Sequence, residues 1–171
     1  MLDLKSFIRD VPDFPRPGIL FRDITPLLSA PEAFSEAINQ FTQRYKSSRI
    51  DAVVAVESRG FIFGAPLAIR LGAKFVPVRK PGKLPYQTLS HSYDLEYGSD
   101  TLEIHSDALQ PGQRVLLVDD LLATGGTVQA CIKLLDHFSI EVVECAVCIN
   151  LTFLNGAQRL DPLPVFSLLE Y

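Results

Sequence analysis

"VLLVDDLLATGGTVQA", residues 115–130, combines the pattern of a buried strand with a turn and the start of a helix. Four apolar residues lead into two adjacent carboxylates, Asp119 and Asp120, and residues 124–127 then precede a helical pattern. In an open α/β sheet, ligands bind beyond the carboxyl ends of the strands. The stretch therefore predicts an α/β fold and a site at the end of this strand.

Apolar, strand-like runs alternate with helical patterns along the rest of the chain. Strands are predicted over residues 51–57, 74–80, 114–120 and 141–151, and helices over residues 31–45, 61–72 and about 128–138. Strands that are apolar throughout are typical of a parallel sheet covered on both faces. We predict a single domain, residues 1–171, with an open, mostly parallel, twisted sheet flanked by helices.

Two segments break this alternation. Residues 80–107 contain prolines, glycines and polar–apolar alternation, which predicts a flexible hairpin that projects from the sheet and covers a site. Residues 1–30 contain four prolines before Leu27, which makes a long helix improbable and favours a rigid, shaped segment. We expect this N-terminal segment to form a hood, the second wall of the site.

Composition limits the function classes. The net charge of −4 among 171 residues argues against non-specific nucleic-acid binding and favours small-molecule partners. The sequence suggests neither a signal peptide nor a membrane span, so we expect a soluble, cytoplasmic protein. Cys131, Cys145 and Cys148 suit a reducing compartment, and a strand would point the last two to opposite faces. We interpret the three cysteines as core thiols rather than as a metal or redox site.

The glycine pair Gly125–Gly126 predicts a phosphate-binding turn. Such a turn lets backbone N–H groups converge at the positive N-terminal end of the following helix, and Thr124 and Thr127 add hydroxyl donors. The loop lacks the lysine of a Walker A motif and the glycine order of a dinucleotide fingerprint, which favours a monophosphate. The adjacent carboxylates, residues 119–120, could bind ribose hydroxyls directly or act through a hydrated Mg²⁺. A ribose 5-phosphate fits this pattern; the alternative is a structural helix-entry turn with the aspartates as caps.

The stretch "VLLVDDLLATGGT" resembles the 5-phosphoribosyl-1-pyrophosphate (PRPP) binding motif of type I phosphoribosyltransferases, in the form of their adenine-specific branch. Four further stretches are similar to that branch, in the same order: DFPRPGILFRDITPLL, VESRGFIFGAPLA, RKPGKLP and YDLEYGSDTLEIH. The resemblance covers nearly the whole chain. It implies the type I phosphoribosyltransferase fold, with phosphoribosyl transfer from PRPP to N9 of adenine that gives AMP and pyrophosphate in purine salvage, with Mg²⁺ as cofactor. It also implies a homodimer in which Arg79 or neighbouring basic residues reach the partner's site.

The resemblance assigns the PRPP contacts to two groups of residues. Those for the 5-phosphate and the ribose are Asp119, Asp120, Ala123, Thr124, Gly125, Gly126 and Thr127. Those for the pyrophosphate are Glu57, Ser58, Arg59, Arg79, Lys80 and Lys83. The family's pyrophosphate loop also implies a non-proline cis peptide bond between Glu57 and Ser58. The alternative is that the cations of the second group are ordinary solvated surface residues.

The resemblance places adenine against Ile19, Leu20, Phe21 and Arg22, with Leu151 on the opposite side. One backbone C=O and one N–H, from Leu20 and Arg22, would match adenine and mismatch hypoxanthine, while Phe21 could stack on the base. The alternatives are a buried β-turn for residues 19–22 and plain core roles for Phe21 and Leu151.

The resemblance assigns catalysis to Glu96, which would take or orient the purine N–H proton, and to Tyr97, which would cover the ribose. Gly98 is a possible hinge for closure of the hairpin. The alternative for Glu96 is an ordinary solvated hairpin residue. Two other function classes stay open: a regulator that binds PRPP without turnover, and a phosphatase with Asp119 as nucleophile, although the Asp-x-Asp pattern of common aspartyl phosphatases is missing.

Overall fold

The computed structural model describes residues 2–94 and 99–171. The strands are β1 Arg9–Pro12, β2 Leu20–Asp23, β3 Ala52–Val56, β4 Lys74–Val78, β5 Thr88–Asp94, β6 Ser99–His105, β7 Arg114–Leu122, β8 Glu141–Asn150 and β9 Val165–Glu170. The α-helices are α1 Thr25–Ser29, α2 Pro31–Tyr45, α3 Gly60–Leu71, α4 Gly126–Leu135 and α5 Gly156–Arg159. Short 3₁₀ turns cover Leu4–Phe7, Asp136–Phe138 and Thr152–Leu154.

A parallel sheet forms the centre of the molecule. Its strand order within the described residues is β4-β3-β7-β8-β9, and every neighbouring pair is parallel. Each face carries a hydrophobic core, one packed with α4 and the other with α2 and α3. Cys145 belongs to the first core and Cys148 to the second, as predicted for residues three apart on a strand. The predicted fold class is confirmed.

The sequence of helix α2 accounts for where it begins and for which of its faces is buried. Pro31 occupies its first turn, where the missing N–H costs no hydrogen bond, and one face buries five residues: Ala33, Ala37, Ile38, Phe41 and Tyr45. The observed bounds equal the predicted range 31–45. Helix α4 begins two residues before the predicted start, because Gly125 adopts φ +81° as its N-cap and turns the chain directly into the helix.

The predicted hairpin over residues 80–107 is present as the antiparallel pair β5–β6. It does not simply project from the sheet, because Leu102 and Ile104 are buried in the core that contains α4. Their burial follows from the alternation in β6, which turns every second side chain inward. The flexibility expected of this hairpin stays a prediction.

The N-terminal segment is more regular than its prolines suggest. Strands β1 and β2 pair as an antiparallel hairpin, whose connection includes a cis Phe14–Pro15 bond and a hydrogen bond from Gly18 N–H to Asp13 Oδ1 of 2.8 Å. Pro12 ends the first strand.

No helix in the described part of the chain is long and apolar enough to cross a membrane.

Candidate active site

A cavity of about 400 Å³ lies at the carboxyl ends of two neighbouring parallel strands, β3 and β7. Its lining consists of residues 56–59, from the last residue of β3 into the loop that follows, and residues 119–128, from the end of β7 through the next loop into α4. Because both strands run in the same direction, the loops that follow them meet at one edge of the sheet. The fold thus brings together the two loops to which PRPP contacts were assigned.

The loop after β3 contains the cis peptide bond predicted between Glu57 and Ser58. Glu57 accepts hydrogen bonds from Arg79 Nε at 2.9 Å and from Lys83 Nζ at 3.3 Å. Burial raises the pKa of Glu57, but the backbone N–H of Lys80 and these two cations outweigh it and lower the pKa below its ordinary value. Two predicted cations therefore gather at this loop on one carboxylate.

Lys80 has a different partner. Its Nζ lies 3.0 Å from Asp100 Oδ2 at the start of β6, and this hydrogen bond raises the pKa of Lys80. Arg79 also joins the hairpin through its backbone, which exchanges hydrogen bonds of 2.9 and 2.7 Å with Glu103. The segment that follows β4 is therefore tied both to the cavity loop and to the hairpin.

Arg59 connects three parts of the site. Its Nε lies 2.8 Å from Asp120 Oδ2, and its guanidinium carbon lies 5.8 Å from the ring centroid of Phe21. Half of the Arg59 side chain is exposed, so the guanidinium can still meet a ligand.

The two aspartates of β7 are less exposed than expected. The sequence predicts an exposed strand end, but β7 continues through Leu122 and Asp120 is only 4% exposed. Burial and the neighbouring Asp120 charge raise the pKa of Asp119, against the opposing effects of the Asp120 N–H and Arg59. Burial likewise raises the pKa of Asp120, with Arg59 opposing it. The site therefore disfavours the ionised form of both carboxyls, and Arg59 opposes that effect.

The loop from Ala123 to Thr127 lines the cavity beside this pair. Gly125, at φ +81°, turns the chain so that α4 begins with its N-terminal end at the cavity, which is the end that favours anions. The Thr127 hydroxyl lies 3.4 Å from the hydroxyl of Tyr93 on β5. Tyr93 was not predicted as a site residue, because only the folded hairpin brings it to this loop.

Residues 20–22, assigned to the base, form strand β2, so the buried-turn alternative is wrong; Ile19 and Leu20 are exposed. Phe21 packs edge-on against Phe14, with ring centroids 5.1 Å apart. Arg22 pairs with Asp10 and lies over the Tyr171 ring, 4.0 Å from its centroid.

Leu151 directly follows β8, and its N–H donates to Leu122 O at 2.9 Å. Phe21 and Leu151 are both half-buried, and Leu151 packs against the core that contains α2 and α3. The assignments to Glu96, Tyr97 and Gly98 fall outside the described residues.

Among the described residues, no group of three or more His, Cys, Asp or Glu could hold a metal ion. The cavity lining nevertheless includes the adjacent carboxylates Asp119 and Asp120, and carboxylate oxygens are donors that Mg²⁺ prefers. These donors fit an ion that a substrate brings with it and whose remaining ligands are substrate oxygens and water.

Comparisons with known proteins identify relatives of this chain. Residues 24–165 match the family model "Phosphoribosyl transferase domain". The adenine phosphoribosyltransferase of Chloroflexus aurantiacus is 58% identical over 169 residues, which cover 99% of this chain and 98% of that protein. The crystal structure of the Thermoanaerobacter pseudethanolicus adenine phosphoribosyltransferase is 51% identical, with a TM-score of 0.94 over 98% of both chains. The Saccharomyces cerevisiae enzyme, solved with an imino-altritol bisphosphate and adenine, is 41% identical, with a TM-score of 0.92 over 96% of both chains.

Proposed function

This chain belongs to the adenine phosphoribosyltransferase family of the phosphoribosyl transferase domain proteins, and we propose that it transfers the 5-phosphoribosyl group of PRPP to N9 of adenine. The products are AMP and pyrophosphate, so the reaction is a purine-salvage step. The bond from ribose C1 to the pyrophosphate oxygen breaks, and its electron pair leaves with pyrophosphate. The bond from C1 to N9 forms, and the purine N–H proton is released.

One observation carries the proposal: a loop built for phosphate and the loop that contains Arg59 line one cavity, where Arg59 pairs with Asp120. In the proposed complex, residues 123–127 bind the 5-phosphate through backbone N–H groups and threonine hydroxyls. Asp119 and Asp120 bind the ribose hydroxyls or the water shell of the metal. The leaving pyrophosphate contacts the loop Glu57–Arg59 and the cations Arg79, Lys80 and Lys83.

Catalysis by these residues is mainly electrostatic. Departure of pyrophosphate leaves positive charge on the ribose, and preorganised charges stabilise such a transition state more than water does. In the proposed complex, Asp119 and Asp120 face the ribose and the cations face the pyrophosphate. Mg²⁺ bound with PRPP would neutralise charge on the leaving group.

Base selection is assigned to the backbone of Leu20 and Arg22, with Phe21 stacking on the purine and Leu151 on its other side. The exposure of Leu20 and the contact between Phe21 and Arg59 support this, because they leave β2 accessible beside the cavity. An oxo-purine would leave one donor and one acceptor unpaired, a mismatch that costs about 1–3 kcal/mol per group.

The hairpin over residues 80–107 is proposed to close over the substrates and to bring Glu96 to the purine N–H and Tyr97 to the ribose. The contact between Tyr93 and Thr127 supports this, because it already joins the hairpin to the phosphate loop.

We also propose that the chain is one domain with residues 1–30 as its base-binding segment, that it acts in the cytoplasm, and that it forms a homodimer. Sedimentation that finds an active monomer would contradict the last point.

The test is incubation with PRPP, Mg²⁺ and one base at a time, with the nucleotide formed as the readout. Adenine is expected to give AMP, while hypoxanthine, guanine and uracil react far more slowly. Equal rates with adenine and hypoxanthine would contradict the assigned base contacts. Binding of PRPP with no nucleotide from any base would indicate a regulator instead of an enzyme.

A further inference from the structure

The segment Leu151–Leu160 lies behind the phosphate loop and contains residues to which no role in the reaction has been assigned. It leaves β8 at Leu151, whose N–H donates to Leu122 O, makes one 3₁₀ turn, and enters α5 at Gly156. Leu160, at the end of α5, is 4% exposed and belongs to the core that contains α4. The segment is therefore anchored at both of its ends.

Gly156 touches the phosphate loop without any space for a side chain. A Cβ atom on Gly156 would lie 2.1 Å from Ala123 O and 3.1 Å from Gly125 N. In the reverse direction, a Cβ on Gly125 would lie 2.8 Å from Gly156 O. The φ of Gly156 is outside the left-handed region, so contact, not backbone conformation, requires glycine here. The two backbones pack directly on each other.

Arg159 makes a second connection on the same side. Its Nε donates to Gln129 Oε1 in α4 at 2.8 Å, and its Nη1 lies 3.6 Å from the position of a Cβ on Gly126. The guanidinium thus lies beside the first turn of α4, at the end of the helix that favours anions. It adds positive charge next to a loop that lacks a lysine of its own.

We propose that Gly156 is a positioning residue for the 5-phosphate of PRPP. Its bare backbone sets the position of Ala123–Gly126, so that their N–H groups converge on the phosphate, and Arg159 holds α5 against α4 while it does so. The same segment begins at Leu151, so the base wall and the phosphate loop share one support. This inference rests on the proposed function, because it takes the loop as the 5-phosphate site.

The test is the variant Gly156→Ala, measured by steady-state kinetics and by calorimetric binding of ribose 5-phosphate. A misplacement of about 1 Å in a binding group can cost about 100-fold. We therefore expect the KM for PRPP to rise by about 10- to 100-fold and the affinity for ribose 5-phosphate to fall in parallel. The KM for adenine at saturating PRPP should change much less.

Gly72→Ala is the matched control. Gly72 follows α3 with φ +65°, where an added Cβ would meet nothing within 4 Å, so alanine is strained there without touching the site. It should lower the Tm and leave the KM for PRPP unchanged. The inference is overturned if Gly156→Ala lowers the Tm but preserves both the KM for PRPP and the affinity for ribose 5-phosphate.

A second variant serves if Gly156→Ala does not fold. Arg159→Met keeps the aliphatic stem and removes the cation beside α4, and it should weaken ribose 5-phosphate binding by about 2- to 5-fold. Unchanged binding in that variant would overturn the inference. Because ribose 5-phosphate binding needs no turnover, these results stay distinct from a failure of the wild-type protein to convert adenine.

Discussion

Arg59 Nε lies 2.8 Å from Asp120 Oδ2 and thereby joins the loop after β3 to the carboxylate pair of β7. Arg59 follows β3 and Asp120 lies in the neighbouring parallel strand β7, and the two residues are separated by sixty-one positions in sequence (120 − 59). The contact compensates part of the charge of a nearly buried carboxylate and leaves half of the arginine side chain exposed. A ligand that enters the cavity therefore meets both signs of charge next to each other.

Replacement of either aspartate should damage PRPP use and preserve the fold. Asp119→Asn and Asp120→Asn remove a carboxylate acceptor from the proposed complex with PRPP, and a hydrogen bond to a charged group contributes about 1.5–3 kcal/mol. We expect kcat/KM for PRPP to fall by about 10- to 150-fold, with an unchanged far-UV circular dichroism spectrum. Normal PRPP kinetics in both variants would show that the site is misplaced.

Asp119→Asn should also stabilise the substrate-free protein at neutral pH. Burial raises the pKa of Asp119, so the folded state binds its proton more tightly than the unfolded state. The Asp119 carboxyl therefore contributes free energy to folding when the pH is below its ordinary pKa. This contribution is lost as the pH rises through the raised pKa of the folded state.

The Tm of Asp119→Asn should consequently exceed that of the wild type by a margin that grows as the pH rises above the ordinary carboxyl pKa of about 4. Thermal unfolding of both proteins without substrate measures this margin. A variant that is less stable than the wild type across the whole range would contradict a raised pKa for Asp119.

Glu96→Gln should lower turnover and leave the affinity for PRPP unchanged. A general base contributes about 10²–10⁴-fold, and the amide has nearly the same shape but cannot take the proton. Single-turnover rates and the KM for PRPP separate the two effects.

Glu103 lies in the same sequence segment as Glu96, residues 80–107, but it is not a suitable control for Glu96→Gln. Its Oε2 accepts a hydrogen bond of 3.1 Å from Gly82 N–H, so it holds the segment that contains Arg79 and Lys83. Glu32, exposed in the first turn of α2, is the better control. If Glu32→Gln lost as much turnover as Glu96→Gln, the loss could not be ascribed to a catalytic proton transfer.

Tyr171 should matter for adenine rather than for PRPP. Its ring lies under the Arg22 guanidinium at 4.0 Å, and its carbonyl accepts a 2.7 Å hydrogen bond from the Thr152 hydroxyl. A cation–π contact contributes about 0.5–2 kcal/mol, so Tyr171→Ala should raise the KM for adenine by about 2- to 30-fold. Tyr171→Phe keeps the ring and should behave as the wild type; equal losses in the two variants would exclude the ring contact.

The strands and helices that line the site are predictable because their signals are local. Helix α2 carries a complete apolar face between Pro31 and Tyr45, and the loop 123–127 carries its own turn chemistry. Strand β9 was not predicted, because its segment follows a proline-rich turn and its assignment depends on pairing with β8 across the fold.

The features of the site that the sequence did not predict depend on contacts between distant segments. Nothing near Gly156 in sequence indicates that it packs on Ala123, and nothing near Tyr93 indicates that it reaches Thr127. The burial of Asp120 was missed for the same reason, because Arg59 and the end of β7 cover it only in the folded protein. The sequence thus indicates which loops form the candidate site. The pKa of its carboxyls and the residues that pack behind its loops depend on the folded structure.

The most direct test of the central claim is a single reaction of the protein with PRPP, Mg²⁺ and adenine in which AMP and pyrophosphate are measured together. Phosphoribosyl transfer predicts equal amounts of the two products, and no orthophosphate. Release of orthophosphate in place of pyrophosphate, or binding of PRPP with no AMP formed, would contradict the claim.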